Sequence, residues 1–293
     1  MAIAIGAAAP APPPTAADSL AAQVRQRLAA DTAFRVAVAY WRLDAGDDSL
    51  FVHDNWTFHA ASTMKVPVMV QLFRMVDAGT LTLQQTVVLK NQFRSIVDGS
   101  PYALDLVDDS DSSLYARVGK TVTVAELIEL MITRSSNLAT NVLIELADPA
   151  RTTATMRSLG AAHIRVLRGV EDGPAYRAGL LNTVTARDLA IVLAAIAQDR
   201  AASPAGCAAM RKILLGQEFN EGIPAGLPAG TPVAHKTGWV DELVRHDAAI
   251  VYPARGTPYV LVVLTGGKAP FPQADRLIAD VSRLVWAHET GGT

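Results

Sequence analysis

The chain has 293 residues, of which half are hydrophobic and 18% are charged, and its formal net charge is -2. This composition is ordinary for a globular protein, and the length suggests one or two compact units. The sequence contains no basic run of the kind that indicates nucleic-acid binding. It also contains no apolar run of the roughly 18 residues that a membrane-spanning helix needs. The single cysteine, Cys207, excludes an internal disulfide, and its alanine-rich surroundings predict a buried apolar residue.

The first 17 residues are interpreted as a leader or linker. Residues 1–9 are small and apolar and run into A-P-A-P-P-P, which is similar to the cleavage region of a secretory signal. A basic segment ahead of them is missing, so the alternatives are a truncated or weak export signal and a disordered Pro/Ala leader. We favour the export signal, which predicts a periplasmic or secreted protein.

Strand-forming segments lie near both ends of the chain. After a helix predicted over 18–30, alternating apolar residues predict a strand over 34–43, a turn over 44–48 and a return strand over 49–54. Two β-branched segments near the end predict strands over 248–252 and 259–265, followed by a terminal helix over 272–287.

Helical patterns fill the middle of the chain. Helices are predicted over 65–78, ending at Gly79, from the capping box at Thr123 to Ile132, over 136–147, and from Thr185 to Ala197. Residues 91–115, which contain D-D-S-D-S-S, predict an extended surface loop. The compact solution is an α+β fold, in which one antiparallel sheet from both chain ends is flanked by helices and a helical region is inserted.

Three short strings carry polar side chains suited to catalysis. The first, Ser62-Thr-Met-Lys65, lies at a predicted helix start, where residues three apart share one face. A serine hydroxyl needs an adjacent base to become a nucleophile, and burial of a lysine lowers its pKa toward that task. The Ser62 N–H is a candidate oxyanion donor. The alternative is a simple N-cap followed by a solvated lysine.

The second and third strings supply a proton relay and an anion anchor. Ser135-Ser-Asn137 lies at a corner between helices, where a hydroxyl could pass on a proton and an amide could hold a carbonyl; helix capping is the alternative. Lys236-Thr-Gly238 is predicted on a strand, where the lysine and Thr237 could hold a carboxylate and Gly238 allows close approach of a ligand. The alternatives are a surface lysine and a turn glycine.

Together the strings resemble the S-x-x-K, S-D-N and K-T-G motifs of class A β-lactamases and penicillin-binding proteins. The flanking L-M-I-T-R-S-S-N-L-A-T-N and N-T-V-T-A-R-D-L-A segments are also similar, so the resemblance covers about residues 18–290. It implies a single β-lactamase/transpeptidase-like catalytic domain over 18–290, with an α/β part over about 18–60 and 216–290 and a helical part over about 61–215. It also implies an acyl-enzyme mechanism without metal or cofactor.

The resemblance assigns a role to each motif residue. Ser62 would be the nucleophile, Lys65 its proton partner and Ser135 the proton relay to the leaving nitrogen. The residues implied to bind substrate are Asn137, Lys236, Thr237, Gly238 and, nine residues past the lysine, Arg245. The second oxyanion donor would be the N–H of Trp239 or Val240.

The sequence departs from the family pattern at two places. Ser136 stands where the second motif has an aspartate. Class A enzymes hold the hydrolytic water with an E-x-x-L-N string, and Glu171 lies 36 residues after Ser135, which suits that role, but Ala175 replaces the asparagine. In the alternative register Asn182 fits and Ala178 replaces the glutamate. We favour Glu171 as general base, with Asn182 approaching it from farther along the chain.

The leading hypothesis is a serine β-lactamase that acts on β-lactam amides. The alternatives are a peptidase acting on D-alanyl-D-alanine or an esterase of the same superfamily, and a penicillin-binding sensor that turns over little. The expected partner is a small β-lactam or acyl-D-Ala-D-Ala-like molecule, and the chain is expected to be a monomer.

Tyr102 and Tyr115 are candidates for an aromatic side chain that lines the cleft. The histidines lack zinc-binding spacing, and His235 either tunes the site or faces the core.

Overall fold

The computed structural model describes residues 16–44, 48–241, 243–267 and 270–291. Residues 1–15 of the predicted leader lie outside these ranges, as do residues 45–47 of the predicted turn. The last two residues assigned to the leader, 16 and 17, instead form the start of the first helix.

The described part of the chain forms nine α-helices and three 3-10 helices. The α-helices are α1 (Ala16–Ala29), α2 (Lys65–Asp77), α3 (Val124–Thr133), α4 (Asn137–Ala147), α5 (Pro149–Ser158), α6 (Gly173–Arg177), α7 (Ala186–Ala197), α8 (Pro204–Leu215) and α9 (Phe271–Thr290). The 3-10 helices span Ala61–Met64, Tyr115–Arg117 and Ile223–Gly226.

The strands are β1 (Arg35–Arg42), β2 (Ser49–Val52), β3 (Phe58–His59), β4 (Thr86–Val88), β5 (Phe93–Arg94), β6 (Pro101–Tyr102), β7 (Thr121–Thr123), β8 (Thr183–Val184), β9 (Val233–Val240), β10 (Val244–Val251) and β11 (Tyr259–Gly266). Five of them form an antiparallel sheet in the order β2-β1-β11-β10-β9. The sheet is built from both chain ends, as the α+β prediction requires. The short strands pair separately, β3 with β8, β4 with β7 and β5 with β6.

The two faces of the sheet bury two separate hydrophobic clusters. Along β1, Ala37 and Ala39 pack into the cluster shared with the helices between residues 65 and 214. Val36 and Val38, which alternate with them, pack into the cluster that contains α1 and α9. This period of two follows from strand geometry, in which successive side chains point to opposite faces.

Side-chain caps begin two of the helices that the sequence predicts, α3 and α7. The hydroxyl of Thr123 accepts from the N–H of Glu126, and that of Thr185 accepts from the N–H of Asp188. In a full capping box the acidic side chain would also accept from the N–H of the capping threonine, and neither does so here. The Glu126 carboxylate pairs with Arg117 instead, and the Asp188 carboxylate accepts from the N–H of Ile164. The predicted starts of α3 and α7 are confirmed within one residue.

Strand β10 begins at Val244, four residues before the predicted start. The three residues after it, Arg245, His246 and Asp247, are polar, and they are buried in the strand. Burial of polar groups requires partners, and these are respectively Asp275, the main-chain carbonyl of His59, and His235. Because an apolar pattern marks strands in a sequence, this polar stretch concealed the start of β10.

The prediction of an extended surface loop over 91–115 is wrong in part. The segment contains the β5–β6 hairpin, and Asp109 and Asp111 are only 8% and 5% exposed. Their carboxylates accept main-chain hydrogen bonds within the loop, Asp109 from the N–H of Asp111 and Asp111 from that of Ser113. Aspartate is usually solvated, but here it satisfies backbone donors that burial would otherwise leave unpaired.

None of the helices in the described ranges combines the length and apolarity required to cross a bilayer.

Candidate active site

Ser62 lies in the 3-10 helix that leads into α2, on the wall of a cavity of about 860 Å³. The chain enters this turn through Ala61, whose φ is +46°, a backbone conformation that non-glycine residues rarely adopt. The Ser62 hydroxyl forms no hydrogen bond with any residue in the described ranges, so it is free to meet a molecule in the cavity. Ser135, Asn137 and Glu171 line the same cavity.

Lys65 starts α2 and is fully buried. Its Nζ donates to the carbonyl oxygen of Ser135 at 2.6 Å, to Ser135 Oγ at 3.1 Å and to Asn137 Oδ1 at 2.9 Å. The first and second strings are therefore joined directly. The predicted alternative of a solvated lysine is excluded by this burial.

Ser135 lies at the corner between α3 and α4 with a φ of +57°. Its Oγ accepts from Lys65 Nζ and, at 3.0 Å, from Lys236 Nζ of β9. One hydroxyl thus lies between two amines that are far apart in sequence. The three strings converge at this oxygen.

Burial sets the charge of both amines. It lowers the pKa of Lys65 to about 7, against the attraction of Asp109 and Glu171, which raises it. Burial also lowers the pKa of Lys236 well below its ordinary value, and the neighbouring Lys65 lowers it further, while Asp247 opposes the change. Near neutral pH a large share of Lys65 is therefore the neutral amine, which can accept a proton.

Glu171 lines the cavity beside Asn137. Its Oε1 accepts from Asn137 Nδ2 at 2.8 Å, and its φ is +60°. Burial raises the pKa of the Glu171 carboxyl, the hydrogen bond from Asn137 opposes this, and Asp109 adds to it. Asn137 therefore bridges Lys65 on one side and Glu171 on the other.

Two asparagines hold the loop that carries Glu171. Asn182 accepts from the N–H groups of Leu167 and Arg168 and donates to the carbonyl of Arg168. Asn141 bonds both the N–H and the carbonyl of Val170, at 2.7 and 3.0 Å. The hydrogen bonds of Asn182 thus reach the loop three residues before Glu171. Asn141 was missed in the sequence, although its position one turn after Asn137 on α4 could have indicated it.

Ser136, the departure in the second motif, caps α4. Its Oγ accepts from the N–H of Ala139 at 3.3 Å. The carboxylate at this helix start comes instead from Asp109, which accepts from the N–H groups of Asn137 and Leu138, both at 2.9 Å. The sequence analysis did not identify Asp109 as part of the site.

Strand β9 brings the third string against the serine turn. A Cβ at Gly238 would lie 3.0 Å from the main-chain nitrogen of Ser62, so a side chain there would press on the turn. The glycine thus allows strand and turn to approach each other. Thr237 is 2% exposed, and its hydroxyl has no hydrogen-bond partner in the described ranges. Trp239 and Val240, the two candidate oxyanion donors, both line the cavity.

Arg245 is engaged within the protein. Its guanidinium pairs with Asp275 at 2.6 Å, and it lies over the rings of Trp239 and Phe271 at 5.3 and 5.2 Å. Lys236, Thr237 and Arg245 are buried and do not line the cavity, whereas the two rings beside Arg245 do. The residues expected to anchor a carboxylate are therefore not exposed to the cavity.

The prediction that Tyr102 or Tyr115 lines the cleft is wrong. Tyr102 and Tyr115 are absent from the cavity wall, and the aromatic side chains that line it are Tyr176, Trp239 and Phe271. Tyr102 packs on Phe93 with ring centres 5.8 Å apart. The Tyr115 hydroxyl donates to Asp109 Oδ2 at 3.0 Å, which turns it into the loop.

Two other single-residue predictions are confirmed. His235 faces the core, is 1% exposed and pairs with Asp247 at 2.9 Å. Cys207 is buried.

One group outside the cavity has the composition of a metal site. Asp48, His288 and Glu289 are the cluster in the described ranges whose ligand atoms lie within 4.8 Å of one another. His288 and Asp48 are bonded to each other at 2.8 Å, and Glu289 accepts from Tyr40. These contacts join α9 to β1 and to the residue before β2.

Comparison with known proteins identifies related sequences. A sequence profile described as the β-lactamase enzyme family matches residues 19–288. A β-lactamase of Streptomyces fradiae is 31% identical over 200 residues, 63% of each chain, so the chain spans less than two thirds of that relative. The β-lactamase Toho-2 of Escherichia coli is 30% identical over 248 residues, 82% of this chain and 79% of that protein.

A solved structure shows the same fold. It is a mutant of PBP-A in an acyl-enzyme complex with penicillin G, and it is 30% identical, with a TM-score of 0.77 over 92% of this chain and 95% of that chain.

Proposed function

The chain belongs to the β-lactamase enzyme family, and on that premise we propose that it is a serine hydrolase of the class A type that opens β-lactam amides through an acyl-Ser62 intermediate. The observation that carries the proposal is the pair of buried amines, Lys65 and Lys236, on either side of Ser135 Oγ. Such an arrangement next to a free serine hydroxyl is suited to proton transfer during acyl transfer.

Acylation would use the neutral form of Lys65. As Ser62 Oγ attacks the lactam carbonyl, its proton passes to Lys65 Nζ, and the C–N bond breaks. Ser135, bonded to the same Nζ, gives its proton to the leaving nitrogen and is reprotonated from Lys65. The charge that develops on the carbonyl oxygen would be met by the N–H of Ser62 and by that of Trp239 or Val240.

Deacylation would use Glu171. Its carboxylate would take a proton from a water molecule as the water oxygen attacks the ester carbonyl. The bond between the carbonyl carbon and Ser62 Oγ would then break, and the proton held by Glu171 would pass to Ser62 Oγ, which restores both groups. The raised pKa of Glu171 makes it a stronger base than an ordinary carboxylate. Asn137 Nδ2, which holds Glu171, would also meet an acyl side chain of the substrate.

Lys236, Thr237 and Arg245 would hold the substrate carboxylate, with Gly238 keeping strand β9 close to the nucleophile. A substrate could reach them only if the cavity widened, because all three are buried and do not line it. We further propose that the protein acts as a monomer in the periplasm or outside the cell, where β-lactams first arrive.

A nitrocefin time course with Glu171→Gln tests the proposal. The wild-type protein is expected to give steady turnover, Ser62→Ala none, and Glu171→Gln a burst of one equivalent followed by turnover at least about a hundredfold slower, the usual range for loss of a general base. Intact-mass spectrometry should detect the acyl adduct in the glutamine variant. Unchanged steady turnover in Glu171→Gln would exclude Glu171 as the base.

A second candidate is a penicillin-binding protein that is acylated but releases product slowly. It is favoured by Asn182, whose hydrogen bonds engage Leu167 and Arg168 rather than Glu171, so that the expected pair of groups around the water is incomplete. The solved relative, PBP-A, was captured as a penicillin G acyl-enzyme in mutant form. A single stoichiometric burst from the wild-type protein would favour this candidate.

A further inference from the structure

The start of α4 carries a carboxylate that does not come from the second motif. Ser136 occupies the middle of that motif and has no charge, yet Asp109 lies over the first turn of α4 and accepts from two successive N–H groups. Free N–H groups and the helix dipole make a helix start favourable for an anion. The 91–115 segment thus supplies what the motif lacks.

Asp109 is held firmly in this position. Besides the N–H groups of Asn137 and Leu138, its oxygens accept from the N–H of Asp111 at 3.1 Å and from the Tyr115 hydroxyl at 3.0 Å. It is 8% exposed. Four donors to a single carboxylate fix its orientation.

The residue that Asp109 fixes is the bridge of the site. Asn137 Oδ1 accepts from Lys65, and its Nδ2 donates to Glu171. We propose that Asp109 is a positioning residue that orients Asn137 and balances charge between Lys65 and Glu171. The kinetic part of this inference rests on the proposed function, but the structural part does not.

The charges around Lys65 come from several elements. Burial disfavours the ammonium form of Lys65, whereas Asp109 from the 91–115 segment and Glu171 from its loop favour it. Lys236 from β9 lies beside them, and the charge of Lys65 lowers its pKa. Burial is the largest cause of the raised pKa of both Glu171 and Tyr115, and the Asp109 carboxylate raises both further. Removing the charge of Asp109 should therefore lower the pKa of Lys65 below about 7 and lower that of Glu171.

Asp109→Asn removes the charge and keeps the size of the side chain. We expect the acid limb of the pH profile for Ser62 acylation, measured by stopped flow with nitrocefin, to move to lower pH by on the order of one unit. The plateau rate should fall by roughly ten- to a hundredfold. The reason is that the amide nitrogen of the new asparagine would face a main-chain N–H group, which is also a donor, so that the first turn of α4 would shift. A purely structural role would lower the rate without moving the limb.

Asp111→Asn is the matched control. Asp111 is an equally buried aspartate in the same segment, but its carboxylate faces Ser113 and, at 3.8 Å, Arg134 rather than α4. The acid limb in this variant should coincide with that of the wild type. An equal displacement in both variants, or none in Asp109→Asn, would overturn the inference.

A titration without substrate separates this inference from the proposed function. The chain has six lysines, so the Cε resonance of Lys65 can be assigned by its loss in Lys65→Arg. Its midpoint should be lower in Asp109→Asn than in the wild type and unchanged in Asp111→Asn. If the wild type is not acylated by any β-lactam, the proposed function fails, and this titration still decides the role of Asp109. Equal midpoints in all three proteins would refute that role.

Discussion

The Thr237 hydroxyl is a buried polar group without a partner in the described part of the chain. An unsatisfied buried hydroxyl costs about 1–3 kcal/mol, so folding alone gives no reason to keep it. A ligand acceptor would supply the missing bond. This makes Thr237 a residue where binding and stability can be separated by one substitution.

Thr237→Val replaces the hydroxyl by a methyl group of similar size. We expect the free energy of unfolding to stay within about 0.5 kcal/mol of the wild type or to rise, because no hydrogen bond is lost. We expect KM for a β-lactam that carries a carboxylate to rise about tenfold, which corresponds to about 1.4 kcal/mol. Urea denaturation and initial rates measure the two effects.

Thr265→Val is the control for this substitution. Thr265 is also buried on the sheet, but its hydroxyl donates to the carbonyl of Arg245 at 2.7 Å and accepts from its N–H. Its replacement should destabilise the protein by about 1–3 kcal/mol. A loss of stability of the same size in Thr237→Val would mean that the Thr237 hydroxyl has a partner in the free protein.

The sequence predicted the residues whose chemistry is encoded locally. Ser62 and Lys65 share one short string, and Lys236 lies in another, so their types and spacing were visible before the fold was known. Asp109 and Asn141 were missed because their roles depend on contacts made after folding. The first reaches α4 across 28 residues of sequence, and the second holds a loop 29 residues away.

At the scale of elements, the sequence predicted helix starts better than strand starts. Helix caps are local, so Thr123 and Thr185 could be identified by their neighbours three residues on. Strand β10 begins with buried charges whose partners lie on other elements, and no local pattern describes that. The same limit concealed the link between the end of α9 and the sheet.

Glu289 makes that link sensitive to pH. Burial raises its pKa to about 7, and its carboxyl accepts from Tyr40 of β1. A carboxyl whose folded pKa lies above its unfolded value binds a proton more tightly in the folded state. Stability from this group is therefore greatest below about pH 4.5, declines as the pH rises toward 7, and is constant above that.

Glu289→Gln removes this dependence and keeps an acceptor for Tyr40. We expect the variant to match the wild type near pH 4.5 and to exceed it at pH 8 by about 1 kcal/mol, a value discounted for the partial exposure of the group. Urea denaturation at both pH values measures this. Glu129→Gln, at an exposed position on α3, should show no such difference. A gain of equal size at both pH values would exclude titration of Glu289 as its cause.

At the scale of the molecule, the central strand β11 joins both hydrophobic clusters. Val262 packs toward the helices beside the cavity, and its neighbour Leu261 packs toward α1 and α9. β11 pairs with β1 from the chain start and with β10. The sequence placed strands at both ends and so predicted one sheet, although the order within it depends on pairings over more than 200 residues.

This arrangement predicts that the site and the remote cluster unfold together, as a single catalytic domain over 18–290 would. Leu261 is fully buried and does not line the cavity, and Leu261→Ala should destabilise the protein by about 2–5 kcal/mol. Because one strand serves both clusters, the denaturation midpoint of far-UV circular dichroism and that of Ser62 acylation should fall by the same amount. Val88→Ala, at a position 62% exposed, should change the free energy of unfolding by less than about 0.5 kcal/mol and leave both midpoints nearly unchanged. If Leu261→Ala instead lowered the circular dichroism midpoint while acylation persisted to the wild-type midpoint, the two clusters would unfold independently, and the site would depend on the helical part alone.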